Sequence, residues 1–336
     1  MRKHLRIILG IVLLGITSLC CFHCSRNKTN SASTDSTDFT IVRFDTDLYR
    51  YLFQNASDTV LKNDSVLLNI LGEDILALGR SDSSGFYSRL RNYFSEPTLK
   101  GIYKDEQEKF TDLTNITKEL SKGLNVFLQH FPEIKRPKVY MHVSGLEQNI
   151  VVVDSILSLS ADMYLGSDYS FYQKYVDDYK RPLMTPDRIV PDYLLGYMMA
   201  EFPFVGKEDV LLDKMLYEGK LRYILSQLLP QRKVWEYVGY NKEQYKWCTQ
   251  RQFLIWTTIL ENRYLFAADE MNVNHYLNEA AFTSTLPVES PGRVGVWLGY
   301  QIISAYMKEN PQTSWQELMK NTDYQEILKQ SKYKPK

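Results

Sequence analysis

At 336 residues, with 44% hydrophobic and 24% charged side chains, the chain has an ordinary globular balance and enough apolar residues for one large or two modest domains. Its formal net charge is zero and no basic patch stands out, which excludes the electrostatic footprint of a nucleic-acid partner. Aromatic residues reach 13%, with 24 tyrosines, a richness that suits a well-packed core before it suits a surface facing envelope polymers.

The first six residues supply Arg2, Lys3 and Arg6, and an apolar run of about 13 residues follows from Ile7 to Leu19. A basic start followed by an apolar stretch well short of the ~20 residues of a spanning helix predicts an export signal. Cys20, Cys21 and Cys24 sit directly behind it. Cysteines clustered there resemble a bacterial lipoprotein signal, in which one cysteine is acylated and becomes the first mature residue. The small Cys20 before it favours Cys21, with Cys20 and Cys24 as alternatives. No Leu-small-small triplet precedes any of them, so an ordinary cleaved signal or an uncleaved anchor is the competing reading. Ser25 to Asp38 (SRNKTNSASTDSTD) can bury almost nothing and reads as a flexible tether. The expected organisation is a signal over 1–24, a tether over 25–38 and one folded domain over 39–336. Removing the basic leader leaves 37 basic against 40 acidic side chains, a mildly acidic protein in which only Cys248 lies beyond the cluster at the anchor, and no disulfide framework is expected.

Phe39 to Arg43 alternates like a strand and leads into FDTDLYRYLF, a helix start with Asp45 as its expected cap. Helices are predicted over 65–78, 84–94 and 98–129, with Pro97 as the break before the third. There Leu113, Ile116, Leu120, Leu124, Phe127 and Leu128 share one apolar face. Three short β-type runs follow at 138–143, 149–153 and 156–161, predicting a small antiparallel sheet with a packed His142 in its first strand. In the next stretch Tyr164, Tyr169, Phe171, Tyr172, Tyr175 and Tyr179 lie among Asp162, Asp168, Asp177 and Asp178. Rings beside carboxylates can hold sugars, although a loop glued to the core through its rings explains the pattern equally simply.

Residues 189–230 read as two helices joined by a turn around Pro203 and Gly206. On the second, Leu211, Met215, Leu221, Leu225 and Leu228 share a face, and Glu218 stands in the middle of it, beside Gly219. A carboxylate there needs a partner, because an uncompensated buried charge costs several kcal/mol; Arg293 is the expected one. Further helices are predicted over 244–266, around His275, from Gly292 onward and from a Ser314 cap. Gly292, Gly295 and Gly299 are spaced to let another backbone approach one side of the third of these.

The chain has no GxGxxG, P-loop, GxSxG or metal-spaced cysteine pair, and none of His4, His23, His130, His142 and His275 forms HExxH. Strands followed by a helix and then a helix carrying Glu-Gly resemble the layout of gluzincin-type zinc peptidases. That resemblance places Glu218 at the third-ligand position, with Tyr197 and Glu201 at the i, i+4 spacing where two imidazoles would be needed. With both missing, no metal and no cofactor are expected, and Glu218, Glu201, Tyr197 and Arg293 become remnant-site candidates. The fold class is therefore mainly α with a small antiparallel sheet (α+β), peptidase-like but lacking HExxH.

A second resemblance covers nearly the whole chain. It rests on the leader, Arg43-Phe44-Asp45, MYLGSDYSFY at 163–172, the Glu-Gly helix, GRVGVWLGYQIISAYMKEN from Gly292 and a closing SKYKP. Together these are similar to the GldB-type gliding-motility lipoproteins of Bacteroidetes. The resemblance implies a lipid-anchored cell-envelope protein with no established enzymatic activity, working within an envelope complex of gliding or secretion components. The alternatives are an active hydrolase or peptidase with a non-standard site, and a glycan-binding envelope protein.

Overall fold

Two apolar cores lie on opposite sides of a small sheet in the computed structural model, which describes residues 38–335. The leader, its three cysteines and nearly all of the tether lie outside the described residues. The strands are β1 (Ile41–Arg43), β2 (Lys138–His142), β3 (Ile150–Val153) and β4 (Ile156–Ser160), in the order β1-β2-β4-β3. Side chains alternate between the faces of a strand. Val139, Met141, Leu157 and Leu159 therefore enter the larger core with the C-terminal helices. Tyr140 and Ile156 enter the smaller one with Phe44, Leu48, Phe86, Leu90 and Phe94.

The mainly helical α+β class and the three β runs match the expectation from sequence, but the sheet is mixed rather than antiparallel. β1 pairs with β2 and β2 with β4 in parallel, and only β3–β4 is antiparallel. The chain leaves β2, lays β3 on the outer edge, and returns through the two-residue turn Asp154-Ser155 to insert β4 between β2 and β3. All five β4 residues are buried, as suits a strand covered on both faces. Adjacent runs in the sequence suggest a meander; burial demand decides otherwise.

Asp45 does not cap its helix. The Phe44–Phe53 helix has no side-chain cap, and Asp45 is fully buried. Arg43 Nε donates to both Asp45 carboxylate oxygens at 3.0 Å, while its Nη1 donates to the Phe110 carbonyl at 2.6 Å. Phe110 is the C-cap of the Pro97–Lys109 helix. The stretch expected as one helix over 98–129 therefore ends there and restarts as Thr114–His130. The break before this helix falls at Ser95 and Glu96, and Pro97 is the helix's first residue, with Glu96 accepting from the Leu99 N–H. Gln107 joins the clasp by donating to Asp45 at 3.0 Å and to Glu106 at 2.7 Å, and the Tyr103 hydroxyl donates to the Asp45 carbonyl. The helix expected over 244–266 is likewise two, Lys242–Gln250 and Gln252–Glu261, hinged at Arg251, whose N–H is shared between the Trp247 and Cys248 carbonyls. Ser314 forms the expected capping box with Glu317, although its helix ends at Lys320 and a further one, Tyr324–Ser331, follows.

The closest packing in the fold joins the Leu211–Leu228 and Val294–Glu309 helices. A Cβ on Gly299 would overlap the Met215 carbonyl, and one on Gly219 would overlap the carbonyl of Gly299 itself. The two backbones thus touch, and only glycine fits at either position. The three glycines expected on one side face different neighbours: Gly295 packs on Tyr276 and Leu277, and Gly292 lies before the helix against Ala280.

Two predictions follow from this packing and from the buried acids. Gly299→Ala lowers unfolding free energy by roughly 3 kcal/mol, at the upper end of overpacking effects. Gly101→Ala, in a helix with nothing within 4 Å of the added methyl, raises it by up to about 1 kcal/mol; urea melts of both variants check the contrast. Burial, reinforced by Asp45, pushes the Glu106 carboxyl well above its ordinary 4.5, so the native state holds a proton that the unfolded chain gives up. That contribution is fully present below pH 4.5 and is lost as pH rises through the raised value. Glu106→Gln, which keeps the shape of the protonated acid, should gain stability relative to wild type between pH 5 and pH 8 in the same melts.

Candidate functional site

The four remnant-site candidates do not form a common centre. Tyr197 is buried, with its hydroxyl donating to the Lys135 carbonyl at 2.6 Å and its ring packed on Phe127. Glu201 sits half-buried at the end of the Ile189–Glu201 helix, its carboxyl raised by burial. Glu218 borders a cavity of about 580 Å³ with Phe204, Lys214 and Glu270, whereas Arg293 lines a different one. The partner of Glu218 is Arg222 at 3.0 Å rather than Arg293, because residues four apart on a helix meet directly. Nor does Glu218 stand in the middle of an apolar stripe. Its helix is buried on nearly every side, and the Glu218 side chain keeps 19% exposure at the edge. Among the described residues no three His, Cys, Asp or Glu side chains gather as a metal site.

Four segments distant in sequence do converge on a cavity of about 400 Å³. Tyr164, just past the short turn Ala161–Met163 that follows β4, forms one wall. Arg188 and Asp192 come from the start of the Ile189–Glu201 helix, Arg222 from the Leu211–Leu228 helix, and Arg293 from the residue preceding Val294–Glu309. Ile150, Met163, Leu183, Met184, Leu195 and Met199 supply the apolar remainder. Met163-Tyr164, the helix of Glu218-Gly219, and Arg293 belong to the strings on which the second sequence resemblance rests.

The polar wall is tightly wired except at its cations. The Tyr164 hydroxyl donates to Asp192 at 3.0 Å, Asp192 pairs with Arg188, and Arg188 Nη1 donates to the Glu236 carbonyl at 2.7 Å. Arg222, with 8% of its side chain exposed, is held by Glu218 alone. Burial pushes its pKa down to about 10, with Glu218 opposing and the Arg293 and Arg188 charges adding to the fall. The Nε atoms of both Arg188 and Arg222 are buried without an acceptor among the described residues. Arg293 sits in the left-handed region at φ 60°, half-buried, and its guanidinium has no hydrogen bond or ion pair among the described residues. Gly239, at φ 74°, faces it: a Cβ there would lie 3.4 Å from Arg293 Nη1. At the rim, Lys180 pairs with Asp177, and Glu279 is exposed.

This arrangement can bind and orient an anion. His142 Nδ1 lies 2.7 Å from Ser158 Oγ, but both residues are fully buried between the sheet and its helices. Burial lowers the His142 pKa to about 3 and keeps the ring neutral. Cys248 is a buried free thiol, pushed upward by the same desolvation. The Tyr-rich loop is largely packed inward, as the simpler reading had it. Tyr164 and Tyr172 are buried, Tyr169 donates to Asp105, and of the six rings only Tyr175 is exposed. Sequence reasoning missed Arg188, Asp192 and Arg222. The i, i+4 spacings Arg188/Asp192 and Glu218/Arg222 were the available signal.

Removing the charge of Glu218 leaves the buried Arg222 guanidinium without a counter-charge. Glu218→Gln should therefore cost about 1–3 kcal/mol of unfolding free energy. A double-mutant cycle with Arg222→Met, read by urea unfolding, should return a favourable coupling between the two positions.

Comparison with known proteins gives one strong result. The family described as gliding motility protein GldB matches residues 25–335, which is nearly the whole chain. No curated protein and no solved structure matches it, so the zinc-peptidase likeness has no counterpart in these comparisons. On the extent of that match, the chain belongs to the GldB family of gliding-motility lipoproteins.

Proposed function

We propose that this chain is a lipid-anchored cell-envelope protein that serves the gliding-motility machinery, or its linked secretion components, by binding rather than by catalysis. The arginine-lined cavity is its binding site. Cys21 carries the lipid, and residues 25–38 hold the folded domain away from the membrane. Among the described residues no helix is long and apolar enough to cross a membrane, and the lipoprotein family to which the chain belongs supports a lipid attachment.

The convergence of the Tyr164, Arg222 and Arg293 segments on one cavity is the observation that carries this reading. The use made of the peptidase-like elements agrees with it. Gly219 serves a helix crossing, Glu218 an ion pair, and the Tyr197 hydroxyl a backbone carbonyl. The Glu-Gly helix then acts as scaffold.

In a gliding bacterium lacking its own GldB, the wild-type chain should restore colony spreading. Tyr197→Phe and Glu201→Gln should restore it equally, whereas Arg293→Glu should not, at matched protein levels. Loss of spreading with Glu201→Gln would favour a hydrolase instead. Metabolic labelling with a fatty acid should disappear in Cys21→Ser and persist in Cys24→Ser.

A further inference from the structure

We infer that the cavity around Arg293 takes a single carboxylate attached to a compact apolar group. The inference rests on the cavity being a binding site, as proposed above, and adds the class of ligand.

Charge balance identifies the anion. Arg188 is paired with Asp192, Arg222 with Glu218, and Lys180 with Asp177. Arg293 alone among these cations has no counter-charge, and the exposed Glu279 at the rim is screened by water. One uncompensated charge matches a monoanion and would be over-neutralised by a phosphate dianion. A guanidinium presents its donors as a planar fork that fits the two oxygens of a carboxylate.

A second observation points the same way. Arg222, more than nine-tenths buried, borders the same cavity and has its counter-charge in Glu218, so that acid is already used. A carboxylate bound beside Arg293 supplies the negative charge that is still missing. The rest of the ligand follows from the apolar part of the lining. Met163, Leu183, Met184, Leu195 and Met199 form an apolar lining, and methionines adapt to irregular shapes. A volume of about 400 Å³ lies within the range of small-ligand sites and leaves room for a branched side chain of a few carbons beside the carboxylate. Two sources share this chemistry: the chain end of a polypeptide finishing in an apolar residue, and a free branched organic acid.

Isothermal titration calorimetry on the folded chain tests the assignment with N-acetyl-L-leucine, its neutral amide, 4-methylvalerate and inorganic phosphate. The carboxylates should bind saturably and the amide at least tenfold more weakly, because a site built for a charge rejects its uncharged isostere. Phosphate should bind more weakly than either carboxylate. Arg293→Gln should lose about tenfold in affinity, the size of one charge-assisted hydrogen bond. A preference for N-acetyl-L-leucine over 4-methylvalerate identifies a polypeptide chain end, and equal binding identifies a free acid; both support the site. Equal affinity for acid and amide, stronger binding of phosphate, or unchanged affinity in a folded Arg293→Gln would overturn the inference. These readouts use purified protein, so their failure is separable from failure of the spreading assay.

Discussion

Much of this structure depends on two helices touching backbone to backbone. At Gly219 and Gly299 there is no room for a methyl group, so the Leu211–Leu228 and Val294–Glu309 helices approach until carbonyl meets α-carbon. Arg222 lies one turn beyond Gly219, and Arg293 lies at the start of the partner helix. The crossing therefore sets how closely two guanidinium groups are held around one cavity. Burial lowers the Arg222 pKa, and the like charges of Arg293 and Arg188 add to the fall. Glycine packing thus creates an electrostatic demand, which Glu218 meets in part.

The second organising element is the buried clasp around Asp45. It binds the start of the chain to the Pro97–Lys109 helix through Arg43, Gln107 and Tyr103, and ends that helix by engaging the Phe110 carbonyl. A buried ion pair tolerates desolvation only when its remaining lone pairs are satisfied. Asp45 is nearly saturated by Arg43, Gln107 and Thr46, whereas Glu106 is left with one oxygen unpartnered and holds its proton instead. The clasp and the cavity lie in different regions of the fold. One secures the N-terminal helices to the sheet, and the other is open to solvent.

The role of the Glu-Gly helix changed meaning between sequence and structure. In sequence, Glu218 beside Gly219 and the spacing of Tyr197 and Glu201 resemble a metal centre that has lost its imidazoles. In the fold, each of Glu218, Gly219 and Tyr197 has a definite structural task. The chemically unfinished groups are instead arginines, of which the peptidase-like reasoning singled out Arg293, as a partner for Glu218, and missed Arg188 and Arg222.

Local signals in the sequence determined a good deal. The 3.6-residue apolar periodicity located the Thr114–His130 helix, alternation located β2, β3 and β4, and the Ser314 and Pro97 signals fell at true helix starts. Runs of specific residues were enough to indicate the family. Tertiary structure alone decided how these pieces meet. Inserting β4 between β2 and β3 depends on both sheet faces being covered, and the break at Phe110 depends on Arg43 arriving from 67 residues away. The partner of Glu218 was within reach of an i, i+4 argument. The convergence of Tyr164, Arg222 and Arg293 was not, because sequence spacing carries no information about which helix faces a glycine will bring together.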